Sequence, residues 1–130
     1  MTDRIKLVNE MIESFCRMDG KALEGLLHPD AKHSAPGSDF GANLVGRSHI
    51  TQYFSTDVFP SFNQVKFEAV HTWEDQPKSI VVVEWRSHLW PKTGKNYSNT
   101  GVFVIEIKDG LIYWVREYFD TEKAHQNVND

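Results

Sequence analysis

Hydrophobic residues recur at helical spacing over the first 60 positions and at every second position afterwards. A stripe of apolar side chains three or four residues apart predicts a first helix over 3–18. Shorter stretches of the same pattern predict helices over 21–27 and 49–59, the last capped by Ser48 and ended by Pro60. From position 64 onward the period changes to two, which is typical of strands that bury one face.

Alternation predicts four strands, over 64–73, 79–90, 97–107 and 111–119, and a short extended segment over 31–35. Helices first and antiparallel strands afterwards predict an α+β domain, with the helices packed on one face of a curved sheet. In the strand 64–73, His71 falls on the apolar side, so we expect a buried structural histidine. In the strand 79–90, we expect Trp85 to be buried and the row Glu84, Arg86 and His88 to face solvent. The alternative turns that charged row inward.

The stretch 103–120 is the most informative part of the chain, because Asp109-Gly110 between two β-rich runs predicts a hairpin. A two-residue turn would place Val115 and Glu117 on a face with Val102 and Val104. A three-residue turn with a left-handed Gly110 would shift the pairing by one residue. We favour the second register, because it gives a cleaner apolar face. That face carries Phe103, Ile105, Ile107, Leu111, Tyr113, Val115, Glu117 and Phe119.

In the favoured register Glu117 is the only charge on an otherwise apolar face. Burial without a partner disfavours the ionised carboxylate and raises its pKa. Such a carboxyl is suited to general acid or base catalysis near neutral pH. The alternative is that Glu117 bends out to water or pairs with a nearby arginine, since carboxylates are rarely buried alone.

His33 is a second candidate, because it lies on the opposite side of its extended segment from Lys32 and Ser34. Histidine titrates near neutral pH, so at the mouth of a pocket it could take part in catalysis. The alternative is an ordinary surface histidine.

The polar, glycine-containing stretch 37–46 predicts a loop, which we expect to cover any cavity that the sheet encloses.

Length and composition indicate one globular domain over 1–130, with 40% hydrophobic and 25% charged residues. The net charge of −4 and the lack of a basic cluster argue against a nucleic-acid partner. No apolar run approaches the length of a membrane span, and the polar N-terminus is unlike a secretory signal. We therefore expect a cytoplasmic protein without a membrane partner.

Motifs for most cofactor-dependent reactions are absent from the sequence. The six histidines are scattered and Cys16 is the only cysteine, so no metal-ligand spacing occurs. No glycine loop for phosphate and no nucleophile-elbow serine is present. We expect neither a metal nor an organic cofactor, which leaves direct acid–base chemistry or ligand binding.

Several short motifs follow one another in a specific order. They are Leu27-His28-Pro29-Asp30-Ala31, Pro36-Gly37, Val45-Gly46-Arg47-Ser48-His49-Ile50, Asp109-Gly110-Leu111-Ile112 and Arg116-Glu117-Tyr118-Phe119-Asp120. With them the chain resembles the SnoaL-like polyketide cyclases, in the superfamily of ketosteroid isomerase, limonene epoxide hydrolase and nuclear transport factor two. The resemblance implies a cone-shaped mixed or antiparallel sheet, with three N-terminal helices on its concave face, an apolar cavity and a homodimer.

The resemblance also bears on the site. Members that resemble limonene epoxide hydrolase carry a pocket-facing aspartate at the position of Glu117. They add an arginine and a second aspartate on an earlier strand, where the stretch 84–87 has a different order of charges. Members that resemble ketosteroid isomerase use a tyrosine on the first helix, which this chain lacks.

Two hypotheses follow. In the first, the protein is an enzyme that isomerises, cyclises or hydrolyses a small apolar, cyclic or polyketide-like molecule, with Glu117 moving a proton and His33 and Arg86 orienting the substrate. We expect the substrate to contact Met11, Phe15, Ser34, Tyr53, Phe54, Trp85, Phe103, Val115 and Phe119. In the second, it is a non-catalytic ligand-binding or dimeric scaffold domain, since one fold supports many roles.

Overall fold

The computed structural model describes residues 1–38 and 43–129, with side chains as far as residue 126. The middle of the predicted loop 37–46 therefore lies outside the described residues. The helices are α1 (Asp3–Cys16), α2 (Gly20–Leu26), α3 (Arg47–Tyr53) and α4 (Thr121–Asn129), and α3 continues into a π-helical turn (Phe54–Val58) and a 3-10 turn (Phe59–Ser61). The strands are β1 (Leu27–Ser34), β2 (Leu44–Val45), β3 (Phe62–Asp75), β4 (Ile80–Pro91), β5 (Tyr97–Lys108) and β6 (Leu111–Phe119).

The six strands form one mixed sheet in the order β2-β1-β6-β5-β4-β3. Strands β3 to β6 pair antiparallel in sequence order, as consecutive hairpin-connected strands do. Strand β1 returns to pair in parallel with β6, and the short β2 pairs with β1. The N-terminal helices pack on one face of this curved, unclosed sheet, which confirms the predicted α+β architecture. We call that helix-covered face the inner face.

Local sequence explains most helix boundaries. The Thr2 hydroxyl accepts a hydrogen bond from the Ile5 amide and caps α1, and the Asp19 carboxylate does the same for α2. The predicted Ser48 cap is wrong, because α3 begins two residues earlier than predicted, at Arg47, after a Gly46 with φ +97°. The predicted helix over 49–59 is only partly α-helical, since its second half widens into the π-helical turn.

A bulge reverses the second half of β3. Ala69 pairs with Trp85 and His71 with Glu84, so the pairing skips Val70 and all later side chains change face. The prediction of a buried His71 is therefore wrong, because the residue lies on the outer face. Trp73, two residues further along the strand and therefore on the same face, is 54% exposed.

The hairpin between β5 and β6 has the turn of one predicted register and, beyond a bulge in β6, the facing of the other. Its turn has two residues, because Lys108 pairs with Leu111 and both central residues have positive φ, so the favoured three-residue turn is wrong. A bulge at Tyr113 then shifts the pairing by one residue, so Phe103 pairs with Glu117. The two side chains share a face, as the favoured register predicted, although that register would pair Phe103 with Val115. The favoured register places Ile112 on the face opposite Phe103 and Glu117, but Ile112 is fully buried.

Strand β4 has the predicted sidedness. Val81, Val83, Trp85 and Ser87 are buried on the inner face. Arg86 lies on the outer face, where it donates a hydrogen bond to Glu68 over 3.1 Å. In the part of the chain that the structure describes, no helix is both long and apolar enough to cross a membrane.

Candidate functional site

A cavity of about 350 Å³ lies between α1, the π-helical turn and the inner face of the sheet. Ten of its lining side chains are phenylalanine, tyrosine or tryptophan. The ring of Phe15 on α1 packs 5.2 Å from that of Phe54 and 6.3 Å from that of Phe103, measured between centroids. Helix and sheet thus meet through aromatic side chains, and the space left between them is largely apolar, as ligand pockets usually are.

Trp85 forms part of the cavity wall and depends on a glycine in the next strand. It pairs with Gly101 on β5, and its ring lies 5.0 Å from that of Phe67 and 5.4 Å from that of Phe103. A Cβ on Gly101 would overlap both the indole ring and the Tyr118 carbonyl oxygen. The missing side chain at this position therefore makes room for the indole.

Glu117 and His33 form a carboxylate–imidazole pair in the wall of the cavity. His33 pairs with Val115 in the parallel ladder, so its side chain points to the same face as that of Glu117 two residues later. The His33 Nε2 and Glu117 Oε1 atoms lie 3.3 Å apart, with side chains 9% and 22% exposed. An ionised carboxylate only accepts hydrogen bonds, so Nε2–H is the donor. The expectation of an unpartnered Glu117 is wrong, and its partner is a histidine, not an arginine.

Two half-buried tyrosines of the cavity have raised pKa values. Burial raises the pKa of Tyr97, and the charge of Glu117 raises it further. Burial also raises the pKa of Tyr53, followed by the charges of Asp57 and Glu117. Both hydroxyls therefore stay protonated at neutral pH and lie within reach of the Glu117 charge.

The structure brings eight of the predicted site residues to the cavity. They are Phe15, His33, Tyr53, Phe54, Trp85, Phe103, Glu117 and Phe119. Together they provide one carboxylate, one imidazole and several aromatic surfaces, a set that can hold an apolar molecule and move a proton on it.

Four predicted residues lie elsewhere. Met11 and Val115 are buried in the core beside the cavity without lining it. Ser34 points to the outer face and accepts a hydrogen bond from Trp114 Nε1 over 3.2 Å, because neighbouring residues of a strand alternate between faces. Arg86 is on the outer face for the same reason, so it cannot orient a molecule inside this cavity.

Sequence reasoning missed other cavity residues. Tyr97 and Asn99 lie on β5 in phase with Phe103, so the alternation of that strand could have identified them. The Asn99 side chain donates to the Asp120 carbonyl oxygen over 3.1 Å and accepts from the Thr100 amide over 2.8 Å, which holds it in place. Asp57 had no such signal, because the helical pattern did not predict a π-helical turn.

We found no group of three or more histidine, cysteine, aspartate or glutamate side chains placed to hold a metal ion within residues 1–38 and 43–129. Among the described residues, the candidate site consists of an aromatic wall and the pair formed by His33 and Glu117.

Comparison with known proteins relates this architecture to one family. The family model of the SnoaL-like domain matches residues 8–121. No curated protein sequence matches the chain.

Solved structures with the same architecture include proteins with different assigned activities. A provisionally assigned polyketide cyclase from Xanthomonas campestris aligns with a TM-score of 0.83 and 19% identity, over 97% of this chain and 96% of its own. An epoxide hydrolase from M. tuberculosis that resembles limonene epoxide hydrolase aligns with a TM-score of 0.77 and 18% identity, over 98% and 90%. A Catenulispora acidiphila protein with a ketosteroid-isomerase-like fold, solved with trimethylamine, aligns with a TM-score of 0.83 and 13% identity, over 95% and 92%. At these identities the likeness shows the fold.

Proposed function

This chain belongs to the SnoaL-like domain family, and on that premise we propose that it is an enzyme that moves a proton on a small, largely apolar molecule. The reaction class is isomerisation, cyclisation or hydrolysis without an organic cofactor. The observation that carries the proposal is the pair formed by Glu117 and His33 in an aromatic cavity. Family membership supports the reaction classes, but a fold does not select among them.

Glu117 is the proposed general base. Its carboxylate is 22% exposed, so one oxygen can meet a substrate while Oε1 accepts from His33. A base must lie within hydrogen-bond reach of the proton that it removes, and the aromatic wall holds the substrate beside it. In isomerisation or cyclisation, Glu117 takes a proton from one atom of the substrate and returns it to another. In hydrolysis, it takes the proton from the attacking water and returns it to the oxygen whose bond breaks.

His33 is the proposed positioning residue for Glu117. Its ring lies 5.2 Å from that of Phe54, in an edge-to-face arrangement that fixes its orientation. With that orientation, Nε2–H keeps the carboxylate turned toward the cavity. Tyr53 and Tyr97, whose raised pKa keeps them protonated, are hydroxyl donors available to a developing negative charge on the substrate.

The position of Arg86 bears on the reaction class. The hydrolase arrangement implied by the sequence resemblance needs an arginine beside the carboxylates, but Arg86 pairs with Glu68 on the opposite face. Proton transfer by a carboxylate without an arginine is therefore better supported than the arginine-assisted hydrolysis that the resemblance implies. The homodimer and the cytoplasmic location expected from the sequence stay predictions.

Glu117→Gln tests the proposal, with Glu84→Gln as the matched control on the outer face. Two reactions serve as assays: exchange of the α-protons of 2-tetralone in D₂O, followed by NMR, and hydrolysis of styrene oxide. We expect Glu117→Gln to lower the rate of whichever of these two reactions the native protein catalyses by about a hundredfold or more, because the base is lost. We expect Glu84→Gln to leave that rate unchanged.

The second candidate function is ligand binding without catalysis, with His33 and Glu117 only satisfying each other. Equal rates in Glu117→Gln and the native protein would contradict the enzyme proposal. So would a native protein that binds both 2-tetralone and styrene oxide yet converts neither of them faster than buffer does.

A further inference from the structure

We infer that the cavity selects a small organic cation, such as a protonated or quaternary amine on an apolar frame. This inference names the substrate class of the proposed site and rests on that site being the binding site. It follows from the charges and the aromatic faces that the cavity presents.

The charged groups of the cavity are predominantly acidic. Glu117 and Asp57 line it, and no lysine or arginine is among its described lining residues. His33, the one basic side chain, is already engaged with Glu117. An anionic ligand would therefore meet two carboxylates without a free cation, whereas an ammonium group would be attracted by both.

The walls suit a cation as well. Aromatic rings carry negative charge on their faces, and a cation within about 6 Å of a ring centroid is attracted to that face. Tyr53 and Phe54 lie 5.5 Å apart with their planes 80° from parallel, so a ligand between α3 and the sheet meets rings in two orientations. Phe59 stands 5.6 Å from Phe54 and extends the same aromatic surface.

The tyrosine hydroxyls agree with this charge distribution. Burial raises the pKa of Tyr53, and the charges of Asp57 and Glu117 raise it further, so the field of both carboxylates reaches the cavity. The two negative charges, which disfavour a phenolate, stabilise an ammonium group in the same place, whereas burial disfavours either charge.

A neighbouring surface has the opposite charge and could bind anions outside the cavity. Lys66, Arg86 and Lys123 line a groove that adjoins the cavity at Ser87 and Asn99. Glu68 lines it as well and pairs with Arg86, so among its described residues the two lysines are the unpaired charges. Any binding experiment must therefore distinguish the two surfaces. A variant in Glu117 does so, because Glu117 lines the cavity but not the groove.

The test compares three ligands of similar size and different charge at pH 7 and low salt by titration calorimetry: benzylamine, benzyl alcohol and benzoate. We expect benzylamine to bind at least about tenfold more tightly than benzyl alcohol, with benzoate weakest. In Glu117→Gln we expect the preference for benzylamine to fall to about threefold or less, while benzyl alcohol still binds. Glu84→Gln, which removes the same charge from the outer face, should keep the full preference.

Asp57→Asn provides a second variant at an exposed position, in case Glu117→Gln fails to fold. We expect it to lower the preference about two- to threefold. Benzyl alcohol binding as tightly as benzylamine, or no binding of benzylamine at millimolar concentration, would overturn the inference. A preference that survives in both variants would overturn it as well. These readouts need no turnover, so the proton-transfer proposal stands or fails separately, on the rate of Glu117→Gln.

Discussion

Two of the carboxylate–imidazole pairs lie on opposite faces of the sheet, and they differ more in their surroundings than in their geometry. On the outer face, His71 Nδ1 and Glu84 Oε1 lie 2.7 Å apart, with side chains 64% and 47% exposed. On the inner face, His33 and Glu117 lie 3.3 Å apart and are mostly buried. The shorter contact is thus the one in water, where an ion pair contributes little.

The comparison shows that surroundings, more than distance, distinguish a candidate site from a surface ion pair. Around Glu84 the solvent screens charge and supplies competing hydrogen bonds. Around Glu117 aromatic side chains replace water, so a charge there acts over a longer range. The raised pKa of Tyr53 and Tyr97 is the measurable trace of that difference.

The largest expected effect is the loss of stability when the packing of Trp85 against Gly101 on the inner face is disrupted. Gly101→Ala places a methyl group against the Trp85 ring and the Tyr118 carbonyl oxygen, which is backbone and cannot move aside easily. We expect the free energy of unfolding to fall by about 3 kcal/mol, the upper part of the range for overpacked cores. Gly25→Ala is the control, because nothing lies within 4 Å of its added Cβ and α2 is helical there.

Urea unfolding followed by circular dichroism measures both glycine variants. Gly25→Ala should be neutral or stabilising by up to about 1 kcal/mol. Equal stability of the two variants would show that the Trp85 wall adjusts freely, which would contradict the packing described above.

A smaller effect is expected from removing each imidazole in turn. His33→Ala leaves a mostly buried carboxylate without its donor, so we expect a loss of about 1–3 kcal/mol in the free energy of unfolding. His71→Ala removes only an exposed partner, and we expect a change within about 0.5 kcal/mol. Urea titrations of both variants at pH 7 measure the contrast. Similar losses in the two would mean that burial does not separate the pairs.

The smallest effect concerns alkaline pH. The pKa of Tyr97 is raised from its ordinary 10.0 by burial and then by Glu117. A group with a raised folded pKa contributes stability below its unfolded pKa, and that contribution is lost as the pH rises through the folded value. We therefore expect the native protein to lose more stability than Tyr97→Phe between pH 9 and pH 11, as measured by thermal unfolding. Parallel curves for the two proteins would contradict the raised pKa.

The sequence predicted the fold class, the family resemblance and the sidedness of β4, because each depends on a repeating pattern. It missed the bulges at Val70 and Tyr113. Both bulges fall within runs of strand-forming residues, so the skipped residue differs in no visible way from its neighbours. The misplacement of His71 and Ile112 follows directly from these two skips.

The candidate site was predicted in part for a similar reason. Glu117 stood out as a charge on an apolar face, and His33 as a histidine in a short extended segment. Their contact depends on the parallel pairing of β1 with β6, 84 residues apart, which no local pattern encodes. Arg86 was misjudged as a site residue because its orientation was left open between the two faces.

The bulge at Tyr113 also bears on how such a pocket could change during evolution. Between Tyr113 and the end of β6, every side chain owes its direction to one skipped residue. Inserting a single codon just after Tyr113 would exchange inside for outside along the whole segment, turning Arg116 inward and Glu117 to the solvent. One small genetic event could thus exchange the charged and apolar side chains that this strand presents to the cavity, a change that otherwise takes several independent substitutions.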